Sequence, residues 1–125
     1  MSGLLDMPEI GVLERVATFC QARHELLANN IANIDTPGYK CQDLDCEAFQ
    51  SDLQRMVEQR KSGQTTIDRE PQIDHDQYLL FHDGNNRSVE KQVSEMARNG
   101  IMHNVAMELL RSRFHLLDTA IRMRF

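Results

Sequence analysis

The chain has 125 residues, a length that favours one domain. Apolar residues make up 41% and aromatics 6%, with no Trp, a supply better suited to a narrow helical seam than to a thick core. A net charge of −5 with no basic cluster or aromatic platform argues against a nucleic-acid partner, and no stretch approaches the roughly 20 apolar residues of a membrane span.

The charge is unevenly spread. Residues 1–40 carry five acids and three bases, residues 41–85 ten acids and four bases, and residues 86–125 four acids and seven bases. An acidic middle and a basic end suit head-to-tail contact between like subunits, or two solvated faces. The first 20 residues lack a basic start followed by a continuous apolar run, so no secretory signal is expected.

The first element runs from about Ile10 to Ile34. Leu13, Val16, Cys20, Leu27, Ile31 and Ile34 recur at steps of three and four, with His24 in the one gap, which makes a stripe on a helix. Asn29, Asn30 and Asn33 sit near its end, where Asn is tolerated as a cap. Pro37 stops the helix, and Thr36-Pro37-Gly38-Tyr39 reads as a type II turn within residues 35–40.

Residues 41–85 show no sustained helical period. Asp45 to Arg60 forms a short helix in this reading, and Thr65-Thr66-Ile67 and Tyr78-Leu79-Leu80-Phe81 form short strands. So long a connection is either a small subdomain or a segment ordered only by partners. Asp83-Gly84-Asn85-Asn86 is a turn signal, with Ser88 as the candidate cap of the second long helix.

That last element, 86–125, carries Val89, Val93, Met96, Gly100, His103, Met107, Leu110, Phe114, Leu117 and Ile121 at alternating steps of four and three, a heptad seam. Gly100 marks a close crossing or a bend. Leu13, Val16, Leu27, Ile31, Met107, Leu110, Phe114, Leu117 and Ile121 are expected to form the helix seam. The second helix outruns the first, so part of it is covered by the middle segment or by other subunits. The expected fold is mainly α: two long terminal helices packed as an antiparallel coiled coil, with an irregular, partly β and partly disordered middle.

Signals for chemistry are weak. Cys20, Cys41 and Cys46 form no even framework and no zinc pattern; three free thiols are expected, with a disulfide left open. His24, His75, His82, His103 and His115 lack metalloprotease spacing, and no phosphate loop or nucleophile motif is present. No catalytic residue, metal, cofactor or small-molecule substrate is expected.

The contiguous stretch Leu27-Ala28-Asn29-Asn30-Ile31-Ala32-Asn33-Ile34-Asp35-Thr36-Pro37-Gly38-Tyr39-Lys40 resembles the signature of flagellar axial proteins: rod, hook and hook-associated subunits. Asp83-Gly84-Asn85-Asn86 before a long terminal helix, together with the short length, looks like the proximal-rod members, although Arg87 and Ser88 depart from their pattern. The resemblance implies a structural role without catalysis. It implies terminal helices that are loosely folded during export and pack as a coiled coil on assembly. It also implies a place in the periplasmic rod of the basal body, reached through the flagellar export apparatus with an uncleaved N-terminal address. The implied partners are copies of the chain, other rod subunits, the inner-membrane ring and the export gate. Arg111, Arg113, Arg122 and Arg124 would face neighbouring acidic segments or water. The runner-up is a helical-hairpin export chaperone or adaptor, which explains the acidity but not the fourteen-residue signature.

Overall fold

The computed structural model describes residues 8–61, 78–81 and 89–123. The element order is α1 (Pro8–Ala32), β1 (Gln42–Leu44), α2 (Cys46–Lys61), β2 (Leu79–Phe81) and α3 (Val89–Arg122). The fold is mainly helical, and α1 and α3 pack against each other as an antiparallel pair. Asn30 meets Gln92, Asn99 meets Cys20, and Ile10 and Leu13 pack beside Ala106 and Leu110. With 25 and 34 residues, the helices span about 37 Å and 51 Å. Since Asn30 near the end of α1 is level with Gln92 near the start of α3, the surplus length falls in the last turns of α3.

α1 serves two cores because it is apolar on two sides. One side presents Ala17, with Ile10, Leu13 and Val16, to Ala106 and Leu110 of α3. The other presents Phe19, with Val16, Ala22 and Leu26, to the middle of the chain. There the Phe19 and Phe49 rings stack at 3.9 Å and 8°, and Tyr78 stands edge-on to both at 5.9 and 5.8 Å. Each edge-on pair adds roughly 0.5–1.5 kcal/mol beyond the area it buries. Leu44 closes this cluster. His24, which fills the gap in the sequence stripe, is exposed, and Arg23 turns inward instead.

One of the two inward lines of α3 is displaced by one residue from the heptad pattern. Met96, His103, Leu110 and Leu117 lie on or beside the buried line, as the heptad pattern places them. The other line is not Val93, Gly100, Met107 and Phe114 but Gln92, Asn99, Ala106 and Arg113, one position earlier each time. Small or hydrogen-bonding residues let α3 settle close to α1: Ala106 packs with Ala17, and Asn99 reaches the Cys20 carbonyl. Val93, Met107, Phe114 and Ile121 are left exposed on the flank. Gly100 is not a close crossing, since a Cβ there would meet nothing within 4 Å.

The described part of the middle is a small α/β unit seated on α1. Asp45 caps α2, its Oδ1 accepting from the Ala48 N–H at 3.1 Å, with Glu47 in the first turn favoured by the helix dipole. β1 and β2 pair antiparallel, with Gln42 opposite Phe81 and Leu44 opposite Leu79. The Asp45 N–H extends the pairing to the Tyr78 carbonyl at 2.7 Å. The expected strand at Thr65–Ile67, the turn at Asp83–Asn86 and the Ser88 cap lie outside the described residues. α1 ends at Ala32, two residues before the expected Ile34, because the carbonyls there bond within a turn.

Two outcomes are expected from this packing. Phe19→Ala removes the ring shared by both aromatic partners and lowers stability by about 3–5 kcal/mol, read as a reduced urea midpoint at unchanged slope. The Tyr78 phenol is pushed up to about 12, first by burial and then by the hydrogen bond it donates to Asp52. A raised folded-state value gives stability that is whole below about pH 10 and lost as pH rises through about 12. Tyr78→Phe therefore flattens the alkaline part of the stability profile over that window, measured by urea titration at stepped pH.

Candidate functional site

The signature segment closes α1 with a hydrogen-bond network centred on Asn30, which is fully buried. Its Nδ2 donates to the Gln42 carbonyl at 2.6 Å and to Gln92 Oε1 at 3.1 Å. Its Oδ1 accepts from the Gln42 N–H at 3.0 Å and from the Tyr39 hydroxyl at 3.2 Å. The amide thus pairs with the backbone of β1 as another strand would, while holding α3 from its second hydrogen. Only an amide supplies two donors and a two-fold acceptor in one plane.

The neighbouring motif residues shape the exit from the helix. Asn33 directs both its N–H and its Nδ2 at the Asn29 carbonyl, at 3.0 and 2.9 Å, satisfying an acceptor that the helix end leaves open. The Thr36 N–H then donates to the Asn33 carbonyl, and the Tyr39 N–H donates to the Thr36 carbonyl at 3.2 Å. Gly38 has φ 79°, the left-handed conformation that the third position of a type II turn needs after Pro37. Asn29, Ala32, Asp35, Thr36, Pro37 and Gly38 are exposed, and Ile31, Asn33 and Tyr39 half-buried. The turn brings Tyr39 back under Asn30 and feeds the chain into β1.

A second polar joint was not legible from the apolar stripe. Arg23 is buried and forks onto Asp43, Nε to Oδ1 at 2.8 Å and Nη2 to Oδ2 at 3.1 Å, while Nη2 also reaches Glu95 Oε2 at 2.8 Å. Burial weakens the guanidinium's hold on its proton, and the bonds to Asp43 and Glu95 outweigh that, so its affinity is raised overall. One side chain of α1 ties β1 and α3 together. Asn99 adds a third tie, donating from Nδ2 to the Cys20 carbonyl at 2.6 Å. The available sequence signal was the seven-residue interval between Gln92 and Asn99, which places two amides on one helix line.

Of the expected seam, Leu27 and Leu110 are buried, Leu13, Val16, Ile31 and Leu117 half-buried, and Met107, Phe114 and Ile121 exposed. Arg111 and Arg122 pair with acids of their own helix, Glu108 at 2.9 Å and Asp118 at 3.4 Å; Arg113 is half-buried, and Arg124 lies outside the described residues. Cys20, Cys41 and Cys46 are free thiols, and burial raises the Cys20 and Cys46 values, which keeps them protonated. Among the described residues no three potential ligands gather for a metal ion, and no helix is long and apolar enough to cross a membrane. His75 and His82 lie outside them. The arrangement is equipped to fix the angle and register of helices.

Asn30→Asp tests the joint. A carboxylate cannot donate to the Gln42 carbonyl or to Gln92, and it carries charge into a closed site. The variant loses at least about 3 kcal/mol in urea unfolding.

A family model described as "Flagella basal body rod protein" matches residues 20–40, the stretch from Cys20 through the turn. The chain is similar to the flagellar basal body rod protein FlgB of Yersinia ruckeri, 31% identical over 109 residues that cover 70% of this chain and 74% of that one. It is 29% identical to FlgB of Cereibacter sphaeroides over 128 residues, covering 98% of both chains. It is 26% identical to FlgB of Bacillus subtilis over 115 residues, covering 87% and 89%. By these likenesses the chain belongs to the FlgB family of flagellar basal body rod proteins.

Proposed function

We propose that this structural rod component polymerises by helix packing in the proximal rod and joins the inner-membrane ring and export gate at its base to the distal rod above. The observation that carries the reading is the state of α3. It is 34 residues long, packs one face on α1, and leaves Val93, Met107, Phe114 and Ile121 open. A helix with apolar residues beyond its own core stripe is built for further helical neighbours. The exposed residues of the expected seam take the intersubunit part, and Leu13, Val16, Leu27 and Leu110 the part within the chain.

The Asn30 and Arg23 joints support the same reading. Partners stack reproducibly only if each subunit presents its helices at a fixed angle, and buried polar ties with few alternative pairings set that angle. Export through the flagellar apparatus precedes assembly in this reading, and the helix pair closes around Asn30 afterwards.

Replacing Phe114 or Leu117 with Asp puts a charge where helices are to meet. In cells lacking the wild-type copy, either variant stops motility and is missing from purified basal bodies. Normal swimming with both variants would remove α3 from the assembly surface, and absence of the wild-type chain from purified basal bodies would end the rod reading itself.

A further inference from the structure

Among the asparagines of the chain, Asn99 alone precedes a glycine. The Asn99-Gly100 pair lies inside α3, with Asn99 buried and Gly100 half-buried. Packing does not account for the glycine: a Cβ there would meet nothing within 4 Å, and a mid-helix glycine weakens a helix relative to alanine. What the missing Cβ changes is chemistry. It lets the Gly100 nitrogen approach the side-chain carbonyl carbon of Asn99 without a clash whenever the backbone is free to turn.

We propose that Asn99-Gly100 is a self-modification site gated by the fold: the closed helix pair protects the Asn99 amide, and a chain held open deamidates there and cannot close again. In the open chain the Gly100 nitrogen gives up its proton and forms a bond to Cγ of Asn99. The Cγ–Nδ2 bond breaks, and Nδ2 leaves as ammonia with a proton equivalent to the one released. Water then opens the five-membered imide at either carbonyl, giving aspartate or isoaspartate. The sum is asparagine and water to acid and ammonia, with no oxidant and no enzyme. Two restraints block this in the folded chain. The Asn99 Nδ2 donates to the Cys20 carbonyl at 2.6 Å, which turns the amide toward α1. As an interior residue of α3, Gly100 gives its N–H to the helix ladder, and the helical ψ at Asn99 keeps that nitrogen off the line of attack. Exclusion of water is not the restraint, since an open groove between α1 and α3 runs past both residues. Protection therefore lasts as long as the helix pair is closed and fails when it opens.

Both products fail at the same joint. A carboxylate at position 99 has no hydrogen for the Cys20 carbonyl, carries charge into a buried position, and lies one helical turn from Glu95, a like charge. Isoaspartate routes the main chain through the side-chain carboxyl and adds a methylene to it. The helix then breaks between Gln92, which meets Asn30, and Ala106, which meets Ala17, so the two contacts no longer share a register. The site records history: a chain that has stayed closed keeps its tie to α1, and one left open too long loses it. This goes beyond the rod reading and holds whatever the helix pair assembles with.

The test ages the purified full chain at mildly alkaline pH, in buffer and in guanidinium chloride, and follows each asparagine by peptide mass spectrometry that separates aspartate from isoaspartate. Conversion at Asn99 is at least about tenfold faster in the denatured chain than in buffer, and faster there than at Asn33 or Asn104 of the same sample. Gly100→Ala, whose added Cβ has room, folds and loses that acceleration. Returned to buffer, the converted wild-type fraction refolds with a lowered urea midpoint or not at all, whereas Gly100→Ala aged alongside it keeps the midpoint of its fresh sample. Equal rates at Asn99 in the two conditions, a denatured-state rate no faster than at Asn104, or a converted chain with the midpoint of the fresh wild type would each overturn the proposal.

Discussion

The fold depends on one buried amide. The Asn30 side chain joins α1 to β1, to α3 and to the Tyr39 turn, and its donors and acceptor are all matched. A buried polar group is neutral to stability when its partners are complete and costly when one is missing. That asymmetry makes the site selective more than adhesive. Sliding α3 by one turn takes Gln92 from Asn30, and changing the length of the turn after α1 takes Tyr39 and Gln42, so either leaves part of the buried amide unmatched. Arg23 imposes a similar condition about two turns earlier in the helix, since Asp43 and Glu95 must both arrive to meet its charge.

The apolar contacts then supply cohesion around a geometry already specified. Ala17 against Ala106 is small and close, which suits a helix pair set by hydrogen bonds as well as by bulk. The aromatic trio of Phe19, Phe49 and Tyr78 fastens the α/β unit to the opposite side of α1. α1 therefore sits between two layers, and α3 is held along one face. This division explains why, among the described residues, the exposed large apolar side chains concentrate on α3.

Much of this was legible in the sequence, for identifiable reasons. The two helices follow from their 3.6-residue periods, and the turn from the chemistry of Thr36-Pro37-Gly38-Tyr39, where φ at Gly38 is the conformation that glycine alone adopts freely. α2 and the strand after Tyr78 also lie where short apolar groups placed them. The inward line of α3 was not legible, because counting apolar residues favours Val93 and Met107 over Gln92 and Ala106. The polar and small residues won those positions through contacts with Asn30 and Ala17, which only the packed pair reveals. Arg23 escaped for the same reason: nothing local announces that Asp43, twenty residues later, will turn back to it. Asn30 stood in the recognised signature as a helix-ending residue, and its role as a bridge between three elements needed the fold.

The antiparallel arrangement has a geometric corollary. Asn30, the Tyr39 turn and the start of α3 gather at one pole of the hairpin, while at the other the opening turns of α1 lie beside Ala106 and Leu110 and the closing turns of α3 run on past them. The subunit is accordingly a vector with unlike ends. Any uniformly oriented column of such vectors would have two chemically distinct tips, each open to a different kind of neighbour.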